Sequence, residues 1–334
     1  MPDGIAPFPH TFAERLRARR FVMTAEVAPP VSCDAQDLLR KAVPLRGLAD
    51  AVNITDGAGA RAHMAALAAS AILIEAGIEP ILQITCRDKN RIALQSELIG
   101  AAALGIHNIL VLTGDDPKAG DQPDTKPVFD IDSRTLIETA RRLRDEGKLP
   151  TGREVAGKAP FFLGAADMPI DPPAGWEPKG LAAKVAAGAQ FVQTQFCMDA
   201  ALLRRYVGAL SDAGLTRKLA ILVGINPLRS AKSAQWMKSH LFGTIIPDDL
   251  IARMEKASDP VREGIRICVD LIAELSTIPG IAGVHVMAPG NDAAIPEVIA
   301  EAKSRVQKAA VTEACGKPLI PAKAGIQQGT RTFE

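Results

Sequence analysis

The sequence predicts a single-domain (β/α)8 barrel of the α/β class, the TIM-barrel fold, and three observations support this prediction. Short apolar runs rich in Val, Ile, Leu or Phe recur about eight times, most of them end in a polar residue, and segments with helical spacing lie between them. Runs that are apolar throughout are typical of strands covered on both faces. A strand–helix unit repeated in this way closes into a barrel, whose active site lies at the carboxyl ends of the strands.

We predict one strand for each apolar run. In chain order the runs are Phe21–Pro29, Ala49–Asp56, Glu79–Cys86, Asn108–Gly114, Phe161–Asp167, Phe191–Gln195, Lys218–Ile225 and Gly283–Ala288. Helical spacing between the runs predicts helices at Arg61–Glu75, Arg91–Ala103 and Arg134–Arg144. The strand ends then bring one set of residues to a common rim, namely Glu26, Thr55, Cys86, Asp115, Asp167, Gln195, Asn226 and Met287.

The barrel accounts for most of the chain, and one segment flanks it on each side. Residues 1–20 are predicted to be an N-terminal extension with an entry helix, because Thr11 and Glu14 have the spacing of a capping box. Residues 21–310 form the predicted barrel, a length that barrels commonly reach as one domain. Residues 311–334 are predicted to be a loosely ordered tail, since periodicity is lost from Gly316 onward.

The composition argues against several classes of protein. Of 334 residues, 47% are hydrophobic, and a net charge of +1 without a basic block argues against nucleic acid as a partner. No apolar run reaches the ~18 residues of a membrane span, and residues 1–20 lack the apolar core of a secretory signal, so a cytoplasmic protein is expected. The five cysteines and five histidines show no metal-ligand spacing, so no protein-bound metal is expected.

Gly57, Gly59 and Ala62 match the G-x-G-x-x-A pattern after a predicted strand. Such a pattern can cradle a dinucleotide pyrophosphate at a helix N-terminus. A tight turn between a strand and a helix needs the same small residues, and a single match inside a barrel pattern is weak. We therefore favour the turn.

Two carboxylates at predicted strand ends are candidate acids. Glu26 lies in an otherwise apolar strand, where a charge is costly unless it is paired or its pKa rises. A raised pKa would suit a general acid near neutral pH, and pairing with an arginine across the barrel mouth is the equal alternative. Asp115 lies in Gly-Asp-Asp-Pro, which is ordinary turn chemistry, so composition alone favours a turn there.

The remaining strand-end residues have both functional and structural interpretations. The amide of Gln195 suits paired hydrogen bonds to a heterocycle, although a barrel-wall glutamine bonded to backbone is commoner. Cys86 without a nearby histidine is more typical of a small buried hydrophobe than of a nucleophile. His285 and Met287 on the eighth run are consistent with barrel lining.

Taken in order, five motifs at the strand ends resemble the methylenetetrahydrofolate reductase family. They are Ala25-Glu26-Val27 with Pro29-Pro30, Asn53-Ile-Thr55-Asp-Gly57-Ala58, Gln83-Ile-Thr85-Cys86, Leu112-Thr-Gly114-Asp115, and Ala187-Gly188-Ala189 leading to Thr194-Gln195-Phe196. The resemblance covers about residues 20–300. It implies a (β/α)8 barrel that binds FAD without a Rossmann motif.

The resemblance also implies a reaction, the flavin-dependent reduction of 5,10-methylenetetrahydrofolate to 5-methyltetrahydrofolate in one-carbon and methionine metabolism. NADH or NADPH would reduce the FAD, and the flavin N5 would pass a hydride to the one-carbon unit. Protonation of N10 opens the folate's five-membered ring to an iminium, and Glu26 matches the family's acid for that step. Asp115 matches an acid near the flavin and the pterin, Gln195 matches the pterin-binding amide, and Met287 is assigned to the substrate site.

For the flavin, the resemblance implies contacts from Thr55, Ala58, Gln83, Thr113, Asp167, Glu177 and Lys184. Lys184 would meet the cofactor phosphates as a point charge, and a solvated helix residue is the alternative. The chain also departs from the family pattern. Gln83 replaces a histidine, Thr113 an arginine and Glu177 an aspartate of other members, and the loop from Asn226 to Ala231 lacks a phenylalanine that some members use to hold the nicotinamide donor and the folate.

Several functional hypotheses remain open from the sequence. The first is a self-contained flavoenzyme reduced by NADH or NADPH. The second is a folate-reducing subunit that receives electrons from a partner protein, which the missing phenylalanine motivates. The third is a flavin-free, pterin-binding methyltransferase barrel, and a Rossmann dehydrogenase ranks last. A homo-oligomer is expected because barrels of this kind commonly self-associate.

Overall fold

The computed structural model describes residue 8 and residues 10–315, and within them eight parallel strands close into one barrel. The strands are β1 (Val22–Val27), β2 (Ala51–Ile54), β3 (Pro80–Thr85), β4 (Asn108–Leu112), β5 (Phe162–Asp167), β6 (Phe191–Phe196), β7 (Ala220–Ile225) and β8 (Ile281–Val286). Each strand pairs with its neighbour in sequence, and β1 closes the barrel against β8. The predicted (β/α)8 barrel is confirmed. β6 ends one residue beyond its predicted run and β8 begins two residues before its own.

Helices surround this barrel. In the described part of the chain they are α1 (Phe12–Arg17), α2 (Ala35–Ala42), α3 (Ala66–Glu75), α4 (Arg91–Ala103), α5 (Ser133–Glu146), α6 (Lys179–Ala187), α7 (Ala200–Asp212), α8 (Ala231–His240), α9 (Asp248–Glu255), α10 (Pro260–Leu275) and α11 (Ile295–Cys315). The predictions for α4 and α5 agree closely with the structure. The prediction that a helix begins at Arg61 is wrong.

The late start of α3 has a local cause. Gly57 and Gly59 take left-handed conformations with φ of 62° and 63°, and Arg61 is extended, so the chain cannot be helical before Ala66. The G-x-G-x-x-A match therefore lies in a loop with a short 3-10 turn and does not open a helix. This geometry does not fit a dinucleotide cradle, which needs the glycines at a helix N-terminus.

At the amino ends of the strands, α1 covers the barrel. The capping box predicted at Thr11 and Glu14 is present, and Phe12 lies fully buried against Phe162 and Phe191, with ring centroids 5.8 and 5.2 Å away. Gly164 is required beside them, since a Cβ there would lie 2.2 Å from the Phe191 ring. This end of the barrel is a packed apolar core.

At the other end of the sequence, α11 extends to Cys315, past the boundary predicted at residue 310. Residues 316–334 of the predicted tail, and residues 1–7 and 9 of the predicted extension, lie outside the described residues. Among the helices that the structure describes, none is long and apolar enough to cross a membrane. The described residues also contain no group of three or more His, Cys, Asp or Glu side chains that could hold a metal ion.

Interior positions follow the period of two expected along a strand. On β1 the successive interior residues are Val22, Thr24 and Glu26, and on β6 they are Phe191 and Gln193, with Gln195 as the next residue of the series. These two strands therefore run from an apolar layer through a polar layer to the rim at the carboxyl end.

Candidate active site

An open cleft of about 590 Å³ lies at the carboxyl ends of the strands. A volume of this size is within the usual range for small-molecule sites. All but one of the site residues predicted from the sequence line it, namely Glu26, Thr55, Ala58, Gln83, Thr113, Asp115, Asp167, Lys184, Gln195 and Met287. The exception is Glu177, which lies outside the lining, with its exposed carboxylate 3.4 Å from the Lys179 ammonium.

Glu26 lies at the end of β1 with two neighbours on one carboxylate oxygen. Gln83 Nε2 donates a hydrogen bond to Glu26 Oε2 over 3.2 Å, and His285 Nε2 lies 3.6 Å from the same oxygen. Within the described residues no hydrogen bond reaches Oε1. The partners of Glu26 are thus an amide and an imidazole, not the arginine that the sequence left open as an alternative.

A buried polar layer lies below Glu26. Its members are Thr24, Asn53, Gln193 and His285, each no more than 3% exposed. Asn53 and Gln193 exchange two amide hydrogen bonds, of 2.6 and 3.0 Å, and Gln193 Nε2 also donates to Thr24 Oγ1 over 3.2 Å. Thr24 Oγ1 lies 2.9 Å from His285 Nδ1, which links the layer to the imidazole beside Glu26.

Asp115 reaches across the cleft edge to the loop after β2. Its Oδ2 accepts a hydrogen bond from the Gly59 amide over 2.8 Å, while Asp116 supplies the turn chemistry by accepting from the Lys118 amide over 3.0 Å. The two adjacent acids therefore have different tasks. The turn favoured from composition applies to Asp116, and Asp115 has its side chain at the cleft.

Arg87 joins three loops behind Asp115, a role that the sequence did not indicate. This buried side chain donates to the carbonyl oxygens of Gly57 and Asp115 over 3.1 and 3.2 Å and forms a two-pronged pair with Asp88. Hydrogen bonding to Asp88 raises the pKa of Arg87 above its already high value. Gly114 is required here, because a Cβ would lie 2.8 Å from the Arg87 side chain.

Asp167 at the end of β5 and Lys184 on α6 also line the cleft, and each is hydrogen-bonded to another residue. Tyr206 on α7 donates its hydroxyl hydrogen to Asp167 Oδ2, and burial together with the Asp167 charge raises the pKa of that phenol. Lys184 Nζ donates to the Ala166 carbonyl over 2.6 Å. The lysine is therefore engaged with β5 at the cleft wall. Tyr206, the only tyrosine of the chain, was not found from the sequence because it comes from a helix and not a strand end.

Gln195 is bonded to backbone at both ends of its amide. Its Nε2 donates to the Phe242 carbonyl over 3.2 Å, and its Oε1 accepts from the Phe196 amide over 3.0 Å. This matches the commoner structural interpretation of a barrel-wall glutamine. The contact also holds Phe242 at the cleft rim, where its ring is 82% exposed.

Thr55 offers the clearest unmet hydrogen-bonding group in the cleft. Its side chain is 3% exposed, and its Oγ1 has no hydrogen-bond partner among the described residues. A buried hydroxyl without a partner is unfavourable, so a ligand that bonds to it would remove that penalty. With Leu110 and Leu112 as apolar lining, the residues present fit a flavin ring and its polar edge.

Cys86, another strand-end residue considered from the sequence, has the setting of a small buried hydrophobe. Its side chain is fully buried, and burial raises the pKa of its thiol to about 11. The thiol is therefore protonated at neutral pH, as the interpretation of a small buried hydrophobe requires.

Comparison with known proteins identifies the family. The family model of methylenetetrahydrofolate reductase matches residues 11–303, most of the chain. The chain belongs to the methylenetetrahydrofolate reductase family. A curated member from Caenorhabditis elegans, named probable methylenetetrahydrofolate reductase (NADPH), is 26% identical over 239 residues, which make up 69% of this chain and 33% of that protein. The chain thus spans about a third of the length of this relative.

Solved structures share the barrel with this methylenetetrahydrofolate reductase family member. An uncharacterized protein from Clostridium thermocellum that binds two copies of 5-methyl-5,6,7,8-tetrahydrofolic acid matches with a TM-score of 0.60 and 15% identity, over 89% of this chain and 99% of the other. DmoA from Hyphomicrobium sulfonivorans matches with a TM-score of 0.54 and 11% identity, over 87% and 89%. Riboflavin lyase (RcaE), solved with modified FMN and riboflavin, matches with a TM-score of 0.54 and 10% identity, over 87% and 92%. These similarities show the fold alone.

Proposed function

We propose that this protein reduces 5,10-methylenetetrahydrofolate to 5-methyltetrahydrofolate with a bound flavin. The observation that carries the proposal is the position of Glu26 in the cleft, where the Gln83 amide donates to Oε2, His285 Nε2 lies beside the same oxygen, and no described residue donates to Oε1. Membership of the family supports it. So does the similarity in fold to the Clostridium thermocellum protein, which binds the proposed product.

Glu26 would act as the general acid of the folate step. The methylene bridge accepts hydride poorly while the five-membered ring is closed, and protonation of N10 opens the ring to an electrophilic iminium. A carboxylic acid positioned in a partly dry cleft can supply that proton, and such groups contribute ~10²–10⁴-fold to rate. Asp115 and Met287 line the same cleft and would contact the folate. Gln195 would reach the pterin only by giving up a backbone bond of its amide.

FAD is the flavin that we propose. When bound, it would supply the two-electron carrier between the donor and the folate. Thr55 would bond to it once its buried, unpartnered hydroxyl turns toward the cleft, and Ala58, Gln83, Thr113 and Asp167 would border it. Two further assignments need a rearrangement, since Lys184 is bonded to the Ala166 carbonyl and Glu177 lies outside the cleft lining.

We propose NADH or NADPH as the electron donor. The seventh loop lacks the phenylalanine expected there, but Phe242 places an exposed ring on the cleft rim from a different part of the chain. An exposed ring beside a cleft favours a planar ligand that binds directly, because aromatic rings stack in offset or edge-to-face arrangements. This observation ranks direct donation above a partner protein.

An anaerobic flavin titration tests the proposal without requiring the natural donor. Protein loaded with FAD is mixed with 5-methyltetrahydrofolate, and the flavin absorbance is followed while the folate step runs in reverse. Bleaching is the expected result. An unchanged spectrum with FAD firmly bound would contradict the proposed reaction, and failure to take up FAD would favour the flavin-free methyltransferase alternative. Reduction of the flavin by NADH or NADPH in the same cuvette identifies the donor, whereas bleaching by the folate without reduction by either would indicate a partner protein.

A further inference from the structure

The hydrogen bonds of the buried polar layer have a donor-to-acceptor order that affects the surroundings of Glu26. Thr24, Asn53, Gln193 and His285 are buried between the apolar end and the cleft, and Thr24 and Asn53 are fully buried. Burying four polar side chains in a barrel interior is unfavourable unless their donors and acceptors are matched. Because they are matched in pairs, the position of each hydrogen can be followed from one residue to the next.

The side-chain amides of Asn53 and Gln193 determine which groups donate and which accept in the first part of the layer. Asn53 Nδ2 donates to Gln193 Oε1, and Gln193 Nε2 donates one hydrogen to Asn53 Oδ1 and the other to Thr24 Oγ1. With the amides in this orientation both hydrogens of the Gln193 amide nitrogen are used, and the reciprocal pair excludes a flip of one amide without the other. Thr24 Oγ1 accepts from Gln193 and keeps its own hydrogen to donate.

Two acceptors are within reach of the Thr24 hydroxyl hydrogen. His285 Nδ1 lies 2.9 Å from Thr24 Oγ1, whereas the Val284 carbonyl oxygen lies 3.3 Å away. Val284 belongs to β8, which pairs with β1 in the sheet, so its carbonyl takes part in the sheet hydrogen bonding. The shorter contact is with an imidazole nitrogen. If Nδ1 accepts, the ring hydrogen of neutral His285 must reside on Nε2.

We propose that Thr24 holds His285 in the Nε2-protonated form, so that His285 acts as a positioning residue for Glu26. His285 and Gln83 then both direct N–H groups toward Glu26 Oε2, over 3.6 and 3.2 Å. Two N–H groups directed at Oε2 disfavour a hydrogen on that oxygen. The acidic hydrogen of Glu26 is therefore carried on Oε1, the oxygen without a described partner.

The arrangement has a chemical consequence, which rests on the proposed folate reduction. When Glu26 gives its Oε1 hydrogen to the substrate nitrogen, the O–H bond breaks, an N–H bond forms, and the carboxylate keeps the electron pair. The Gln83 amide stabilises the resulting carboxylate through its hydrogen bond to Oε2, and the N–H dipole of His285, 3.6 Å away, adds an electrostatic contribution. Other titratable groups lining the cleft are Asp56, Asp115, Asp167 and Lys184.

The FAD-loaded enzyme labelled with 15N-histidine tests the tautomer directly. A long-range 1H–15N spectrum distinguishes a protonated ring nitrogen from an unprotonated one, and His285→Asn identifies the signal among the five histidines. We expect Nε2–H in the wild type and in Thr24→Ser, which keeps the hydroxyl. A wild-type His285 with its hydrogen on Nδ1 would overturn the proposal, since Thr24 would then accept from the imidazole and donate its own hydrogen to the Val284 carbonyl or the Gln193 amide oxygen. This measurement needs no folate turnover, so it stands apart from the proposed function.

Thr24→Val supplies the functional test. We expect the flavin-to-folate step to slow about tenfold and its pH profile to change, because His285 could then carry its hydrogen on Nδ1 and turn an unprotonated Nε2 toward Glu26. Thr24→Ser should restore the rate and the profile. Thr139→Val is the matched control, since that buried hydroxyl bonds to a carbonyl within α5, and it should change neither.

Two results would contradict the role of His285, and a third would contradict the proposed function instead. If the wild type reduces the folate but Thr24→Val keeps the wild-type rate and pH profile, His285 is only a satisfied core histidine. If Thr24→Val does not fold, a wild-type rate and profile in His285→Asn would lead to the same conclusion. If the wild type itself fails to transfer electrons to or from the folate, the proposed function fails, and the tautomer assignment is decided by the spectrum alone.

Discussion

At the amino ends of the strands, Phe12, Phe162 and Phe191 pack ring against ring under α1, whereas at the carboxyl ends the same strands present Glu26 and Gln195 to an open cleft. Along β6 the interior residues are first the fully buried Phe191, then the amide side chain of Gln193, and then Gln195 at the cleft. None of the three phenylalanines at the amino end lines the cleft. In a (β/α)8 barrel the amino end supports stability and the carboxyl end supports function.

Each end of the barrel also has a glutamate, and the two carboxyl groups differ in how many of their oxygens accept hydrogen bonds from the protein. Glu79 at the amino end accepts from the Phe12 amide and from Asn108 Nδ2, and burial raises its pKa to about 7. Glu26 at the carboxyl end keeps one oxygen without a described partner. The first carboxyl group is built into the fold, and the second remains accessible to a ligand. Mutations at the two ends should therefore separate stability from activity.

The largest effect is expected from Phe12→Ala at the amino end. Removing a fully buried ring from a packed cluster lowers the free energy of unfolding by ~3–5 kcal/mol. The rate of the folate step per folded, flavin-loaded molecule should stay within about twofold, since the ring lies at the other end of the barrel. Urea unfolding and single-turnover kinetics measure the two quantities. A large loss of rate in molecules that remain folded would break the separation between the ends.

Glu79 should give the stability of the protein a pH dependence. The folded-state pKa is raised from 4.5 to about 7, so the folded protein holds a proton that the unfolded chain loses between these values. The free energy of unfolding therefore falls as the pH rises from about 4.5 to about 7, by up to ~3 kcal/mol. Urea unfolding at several pH values measures this slope.

Glu79→Gln should flatten the slope, because glutamine does not titrate. Glu154→Gln is the control, since that side chain is 85% exposed and should leave the slope unchanged. Equal slopes in the wild type and Glu79→Gln would show that the Glu79 carboxyl group does not keep its proton in the folded state.

The smallest effect is expected from Phe242→Ala on the cleft rim. The exposed ring contributes little to folding, so the free energy of unfolding should change by less than about 0.5 kcal/mol. A ligand ring that packs on it should lose about 3- to 10-fold in affinity, as aromatic contacts are worth ~0.5–1.5 kcal/mol. The KM for the folate and for the nicotinamide donor report the loss. Val261→Ala, on α10 and outside the cleft, is the control. Unchanged KM values in Phe242→Ala would remove Phe242 from the site.

Much of the site could be predicted because a barrel brings its strand ends together whatever the loops do. Glu26, Thr55, Asp115, Asp167 and Gln195 lie near or just past the ends of five different strands, so the apolar runs sufficed to collect them around one cleft. Glu177 shows the limit of this reasoning. It precedes α6 in a loop, where strand register says nothing about the path of the chain.

Contacts made by helices and loops could not be predicted in the same way. Tyr206 reaches Asp167 from α7, Arg87 joins loops that are far apart in sequence, and Phe242 reaches the rim after α8. Each of these depends on tertiary packing, for which a single sequence offers no period. The polar layer did leave a signal, since Thr24 and His285 lie two residues before the strand-end positions Glu26 and Met287. A period of two applied from the rim inward would have found them.

One measurement tests the central claim that Glu26 at the carboxyl end performs the folate chemistry. Flavin-loaded wild type and Glu26→Gln are each reduced anaerobically with dithionite and mixed with 5,10-methylenetetrahydrofolate, and flavin reoxidation is followed by stopped flow. Both proteins should bind FAD equally and accept electrons, while the variant should reoxidise at least ~10²-fold more slowly, the lower range for a general acid. Reoxidation of Glu26→Gln at the wild-type rate would contradict the account and remove Glu26 as the acid.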